Sequence, residues 1–175
     1  MEQFSVFDPD HAGDLVVEKK GIPYPVFTLT DGVKTYGELS YLDGWQRIIK
    51  TAQHNWKFAS GKSFPRDILI IDTLTGETTA VVKTSFWLAR ISIVFADGQT
   101  FKFIRSTVFS KKPRWYNEQY GTVLHTECQL FSFKQTFKVI PEQSTFKNND
   151  YLLIMAFLSV HLTLMRRVSA FGIAD

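Results

Sequence analysis

The stretch DYLLIMAFLSVHLTLMRR, residues 150–167, decides the fold. Residues 151–165 carry no charge and no Gly or Pro. Asn149 or Asp150 stands where a helix N-cap is needed, and Arg166 and Arg167 suit the negative C-terminal end of a helix dipole. A helix over about 150–167 is predicted. On a helical wheel Leu152, Leu153, Ile154, Met155, Phe157, Leu158, Val160, Leu162 and Leu164 leave no polar stripe, so every side needs an apolar neighbour. Fifteen residues at ~1.5 Å each span roughly 22 Å, short of the ~30 Å hydrocarbon core of a bilayer. Burying nine such side chains is worth on the order of 13–27 kcal/mol gross. A helix enclosed by protein is therefore expected, rather than a tail anchor or a re-entrant segment.

The preceding chain supplies the enclosure. Between residues 24 and 140 it reads as short strands broken by turn signals. PVFTLT and VKTYGELSY flank Asp31-Gly32, DILIID and ETTAVVKT flank Thr75-Gly76, and ARISIVF and QTFKFIR flank Asp97-Gly98. Each pair reads as a hairpin, because Gly accepts the positive φ of a tight turn. FSFKQTFKV, 131–139, alternates with Phe131, Phe133, Phe137 and Val139 on one face and Ser132, Lys134, Thr136 and Lys138 on the other, the period of two of a half-buried strand. GTVLHTECQ, 121–129, adds a strand and GWQRIIKTAQHNWKF, 44–58, one more. Ten or so strands followed by a helix apolar all round predict a closed antiparallel β-barrel threaded by its own C-terminal helix, with no free sheet edges. Sixteen Phe suit the filling of a wide interior. Residues 1–20 are expected as a loose acidic arm, and 21–175 as a single barrel domain.

Composition narrows the setting. Residues 1–45 hold 3 Lys/Arg and 8 Asp/Glu (−5), while 46–175 hold 17 and 9 (+8), so the later part is the face for an anionic partner. The N-terminus MEQFSVFDPDHAGD has neither the basic n-region nor the apolar h-region of a secretory signal, and the single Cys128 permits no intrachain disulfide; a cytoplasmic setting is expected.

DILIIDTLTGETTAVVKT at 67–84 and NDYLLIMAFLSVHLTLM at 149–165 resemble, respectively, the strand, Asp-x-x-Gly, strand, Lys/Arg hairpins and the closing helix of the tubby C-terminal domain superfamily, which includes tubby proteins, LURP-one-related proteins and phospholipid scramblases. The resemblance covers roughly residues 24–167. It implies a twelve-stranded barrel around a central helix, and phosphoinositide or membrane-surface binding, adaptor roles or lipid scrambling. No residues match the tubby headgroup-binding motif, and RRVSAFGIAD after the helix lacks the acidic calcium segment associated with scramblases.

Catalytic chemistry finds no support, since the chain carries no GxGxxG, P-loop, HExxH, CxxC or GxSxG. In HTEC, 125–128, strand geometry sends His125 and Cys128 to opposite faces, which excludes a dyad. DPDHAGD, 8–14, resembles a calcium loop only in part, because Ala12 takes a ligand position and Lys19 replaces the closing carboxylate. No metal or cofactor is expected, and His161 reads as a buried histidine bonded to a carbonyl or hydroxyl.

SKKPRWYNEQYG, 110–121, is the most suggestive surface stretch. Lys111, Lys112 and Arg114 stand beside Trp115 and Tyr116, in a segment that Pro113 and Gly121 mark as a loop. Cations beside amphipathic rings suit a peripheral membrane contact. At about 1 kcal/mol per cation, three give roughly 3 kcal/mol, short of millimolar affinity, so Lys134, Lys138 or a shaped pocket must add to them. The expected function is a non-enzymatic module binding anionic phospholipid headgroups or a membrane surface through these residues. The alternative is a protein-interaction module of the same fold. A barrel carrying a small apolar ligand is disfavoured by the helix that fills it, and nucleic acid ranks lower still, for want of a recognition element.

Overall fold

Three turns are fixed by glycine. Gly32, Gly76 and Gly98 have φ of 88°, 75° and 87°, a region that side chains with a Cβ rarely occupy, and each closes one of the hairpins expected from the sequence. In the computed structural model residues 4–10, 14–21, 24–42, 46–62, 67–85, 90–105, 112–129, 136–142 and 146–170 are described, 129 and 166–170 by their backbone alone. They form β1 (Leu15–Lys20), β2 (Val26–Thr30), β3 (Thr35–Leu42), β4 (Gln46–Thr51), β5 (Asn55–Ser60), β6 (Ile68–Asp72), β7 (Thr78–Thr84), β8 (Ile91–Phe95), β9 (Thr100–Ile104), β10 (Arg114–Asn117), β11 (Gly121–Gln129), β12 (Thr136–Pro141) and α1 (Asn149–Ala170).

Each strand pairs antiparallel with its sequence neighbour, and β1 pairs with β12 through Leu15↔Val139 and Val17↔Phe137, which closes a twelve-stranded barrel. Two expectations are corrected here. Residues 15–20, read as part of a loose arm, are β1 and complete the barrel between β12 and β2. Phe7, within the same arm, is buried against Tyr36, with ring centroids 5.4 Å apart. The segment 44–58, read as one strand, holds two. Thr51 makes the turn between β4 and β5, its hydroxyl donating to the His54 carbonyl at 2.8 Å and accepting the His54 amide at 3.0 Å, so no glycine is needed.

Alternation fills the interior. Phe58, Phe101, Phe103, Phe137 and Val139 point inward between outward or half-buried neighbours. Of FSFKQTFKV, residues 131–135 lie outside the described ones.

The helix occupies the centre. Residues 152–162 are all 3% exposed or less, on every side of α1. Side chains from around the wall meet it: Tyr41 of β3 and Phe58 of β5 reach His161, Phe95 of β8 stacks on Tyr151 at 3.6 Å, and Trp115 of β10 reaches Met155 and Ser159. Gly37 is required where β3 runs past β4, since a Cβ there would stand 2.6 Å from the Lys50 carbonyl oxygen and 3.4 Å from the Phe157 ring. The cap falls one residue before the expected position, because Asn148 accepts the Tyr151 amide through Oδ1 at 3.1 Å. Asn149 instead donates to the Phe7 carbonyl at 2.9 Å, tying the N-terminal segment over the start of the helix. No helix among the described residues is long and apolar enough to cross a membrane.

Candidate functional site

Strict strand alternation gives the barrel two unlike rims. At the upper rim, where α1 begins, lie the turns after β2, β4, β6, β8 and β10; at the lower rim, where α1 ends, lie the ends of β1, β3, β5, β7, β9 and β11 and the starts of the strands that follow them.

The upper rim is acidic for structural reasons. Asp31 Oδ1 accepts the amides of Val33 and Lys34 at 2.9 and 2.7 Å, Asp72 Oδ1 those of Leu74 and Thr75 at 2.8 and 3.0 Å, and Asp97 Oδ1 that of Gln99 at 3.0 Å. Each carboxylate makes its own turn. The Thr75 amide, foremost, holds the Asp72 carboxyl below its ordinary range, with help from the Leu74 amide and His54. His54 lies between Asp72 and Asp150, its Nδ1 3.3 Å from one and its Nε2 3.5 Å from the other, and stacks on Trp56. Acidic groups beside the first turn of α1 also suit the positive end of its dipole.

Among the described residues the lower rim carries Lys19, Lys20, Arg47, Lys62, Lys83, Arg90, Arg105, Lys112 and Arg114. Lys83, Arg90 and Arg114 make no ion pair among the described residues. Beneath the rim the interior stays apolar and uncharged. His161 is 1% exposed, its Nδ1 2.9 Å from the Tyr41 hydroxyl, and its Nε2 is buried without a hydrogen-bond partner among the described residues. Burial, then the Arg47 charge, pushes His161 down to about 3; burial lowers Arg47 and raises Tyr41.

The residues expected to contact lipid are dispersed. Lys111 and Lys134 lie outside the described residues. Lys112 is 2.8 Å from Glu127, whose carboxyl it holds below the ordinary range, and Lys138 is 3.5 Å from Asp14. Trp115 is a correction: residues 114–117 form β10 rather than a loop, and alternation turns Trp115 into the barrel, 0% exposed. Its indole N–H donates to the Met155 carbonyl at 3.1 Å and to Ser159 Oγ at 2.9 Å, so it anchors the helix and has no face for a bilayer. Arg114 is exposed and Tyr116 half-buried, both on the outer wall, with Arg114 in register with Ile104 and Tyr116 with Lys102. His125 and Cys128 do face opposite ways, His125 Nδ1 lying 2.7 Å from Glu142 while Cys128 packs on the core.

A basic groove that the sequence reading missed lies on the wall beside Arg114. It encloses about 560 Å³ between the ends of β7, β8 and β9, lined by Lys83, Ser85, Arg90, Ser92, Lys102 and Arg105 with Thr84, Ile91, Phe103 and Ile104, and no carboxylate is among its lining residues. Lys83 pairs across to Ser92 and Ser92 to Lys102, which puts a hydroxyl between two cations on one outward row. Arg105 is fixed over the Phe103 ring, 4.8 Å from its centroid. Lys83 and Lys102 stand 19 residues apart in the chain, and only the strand register brings them onto one row. Among the described residues no group of three or more His, Cys, Asp or Glu stands close enough to hold a metal ion. Comparison with family models, curated proteins and solved structures finds no match to this chain.

Proposed function

We propose that the barrel is a binding module for an anionic lipid surface, docking with its lower rim down and the axis of α1 across the plane of contact. The charge polarity along the barrel axis supports this reading. The carboxylates of the upper rim are consumed in making turns, whereas Lys83, Arg90 and Arg114 have no such task and project from the opposite end. Six of the rim cations at about 1 kcal/mol each give roughly 6 kcal/mol, a dissociation constant of tens of micromolar, before Glu18 and Asp67 subtract from it. That is twice what the 110–116 stretch supplies alone. The contact set accordingly shifts from Trp115, Lys112 and Lys138 to Arg90 and Arg114 with their rim neighbours.

Flotation of the protein with neutral, phosphatidylserine-containing and phosphoinositide-containing vesicles at two salt concentrations tests the reading. Binding to anionic vesicles alone, weakened by salt, is expected. The Arg90→Glu/Arg114→Glu double variant alters four charge units and should lose most of it, while Lys147→Glu at the upper rim should not. Equal binding by both variants would remove the lower rim as the docking face. Failure of any vesicle to bind, with one stoichiometric protein retained from lysate, would favour the protein-interaction alternative.

A further inference from the structure

The groove between β7, β8 and β9 gives the lower rim a shaped basic recess. We infer that it is a specific site for a phosphate-type dianion, a bare phosphate or phosphomonoester group. This deepens the membrane reading and can stand or fall apart from it.

Three features carry the inference. First, Lys83, Ser92 and Lys102 lie in register on adjacent strands, so the two lysine Cα atoms are about 10 Å apart, with the serine between. Extended ammonium groups from both sides then reach an anion seated over Ser92. Second, Arg90 and Arg105 close the lower side, and Arg105 is held over the Phe103 ring, which fixes a positive charge beside the anion before binding. Third, the donors are not only charges. Ser85 Oγ accepts the Arg90 amide at 2.7 Å, which leaves its hydroxyl proton for a ligand oxygen, and Ser92 offers a second hydroxyl. Several cations with hydroxyl donors and no lining carboxylate match a doubly charged tetrahedral group with three terminal oxygens better than a singly charged diester.

One competitor is present. Glu118 accepts from Lys102 Nζ at 2.8 Å and depresses its own carboxyl pKa in doing so, but both groups are well exposed, so an incoming dianion displaces it readily.

The test is titration of the intact chain with inorganic phosphate at low chloride, followed by amide NMR shifts and calorimetry. Saturable binding is expected, with shifts confined to Ser85, Arg90, Ser92 and Lys102. Lys83→Ala and Arg90→Ala should each weaken it about tenfold. Glu118→Gln should strengthen it, a gain that damage to the fold could not produce. Vesicles of matched charge decide the source: preference for phosphatidic acid over phosphatidylserine, lost in Lys83→Ala, identifies a lipid phosphomonoester, and phosphate binding without that preference identifies a soluble one. Non-saturating shifts, or equal affinity in the variants, would overturn the site. Vesicle binding that falls with Arg114→Glu but ignores Lys83→Ala and Arg90→Ala would overturn it too, leaving the docking face intact.

Discussion

Between pH 7 and 4.5, above the range where the depressed carboxylates of Asp72 and Glu127 take up protons, acidification should weaken this fold chiefly through one residue. His161 is buried at the lower end of the helix core, facing the Tyr41 hydroxyl, the Phe58 ring edge and the Arg47 charge, and its pKa is about 3 when folded. The unfolded value is about 6.5. The folded value is the lower one, so between pH 6.5 and 3 the unfolded chain binds a proton that the native chain refuses. The stability is present above pH 6.5 and is lost as pH falls. Integrated from pH 7 to 4.5, the loss is about 2.5 kcal/mol, which corresponds to roughly 5–10 °C in Tm for a chain of this size. Urea unfolding followed by the fluorescence of buried Trp56 and Trp115, at both pH values, measures it. The Tyr41→Phe/His161→Leu double variant removes the titrating group without leaving the tyrosine hydroxyl orphaned, and should lose about 2.5 kcal/mol less over the same interval. If wild type and variant fall in parallel, His161 is not held neutral in the native interior and its assigned environment is wrong.

Two packing predictions sharpen the architecture. Gly37→Ala should cost about 3 kcal/mol or more, because the obstruction is the Lys50 carbonyl oxygen at 2.6 Å and backbone cannot rotate away; Gly76→Ala, with open space around it but φ of 75°, should cost roughly 1–2 kcal/mol. Chemical denaturation of the two separates them. Trp115→Phe should cost about 1–2 kcal/mol, since Ser159 Oγ still donates to the Met155 carbonyl at 2.8 Å and no acceptor is stranded. The same variant should float with anionic vesicles as wild type does, and reduced flotation would place Trp115 at the lipid contact after all.

What the sequence made legible follows from where local physics is decisive. The Asp31-Gly32, Thr75-Gly76 and Asp97-Gly98 hairpins were readable because a positive φ needs a residue of that kind, and the helix because its apolar surface had to be enclosed. β1 was not, since Glu18, Lys19 and Lys20 make LVVEKK look solvated, and only pairing with β2 and β12 holds it. The β4–β5 turn was missed because Thr51 does by side-chain hydrogen bonds what glycine does elsewhere. That omission hides more than one turn. In a meander, miscounting a strand assigns every later turn to the opposite rim, so the polarity of the barrel cannot be read until β4 and β5 are separated. Trp115 was not legible as a core residue because Pro113 and three nearby cations give the stretch the composition of a solvated loop, whereas strand geometry alternates buried Pro113, exposed Arg114 and buried Trp115.

The seam between β1 and β12 sets a constraint on how the molecule is made. Leu15 must find Val139, and the core filling arrives later still, with residues 152–162. While a ribosome is elongating the chain, the earlier strands can pair with their neighbours into a growing open sheet, but its inner face has nothing to pack on and its first edge has no partner. The barrel cannot close, nor its helix be buried, until β12 and residues 152–162 have both been made and are free to fold back. Until then the aromatic lining of the growing sheet stays uncovered, so the fold depends on late, long-range pairing rather than on a fast local nucleus, and its open intermediates are prone to aggregate.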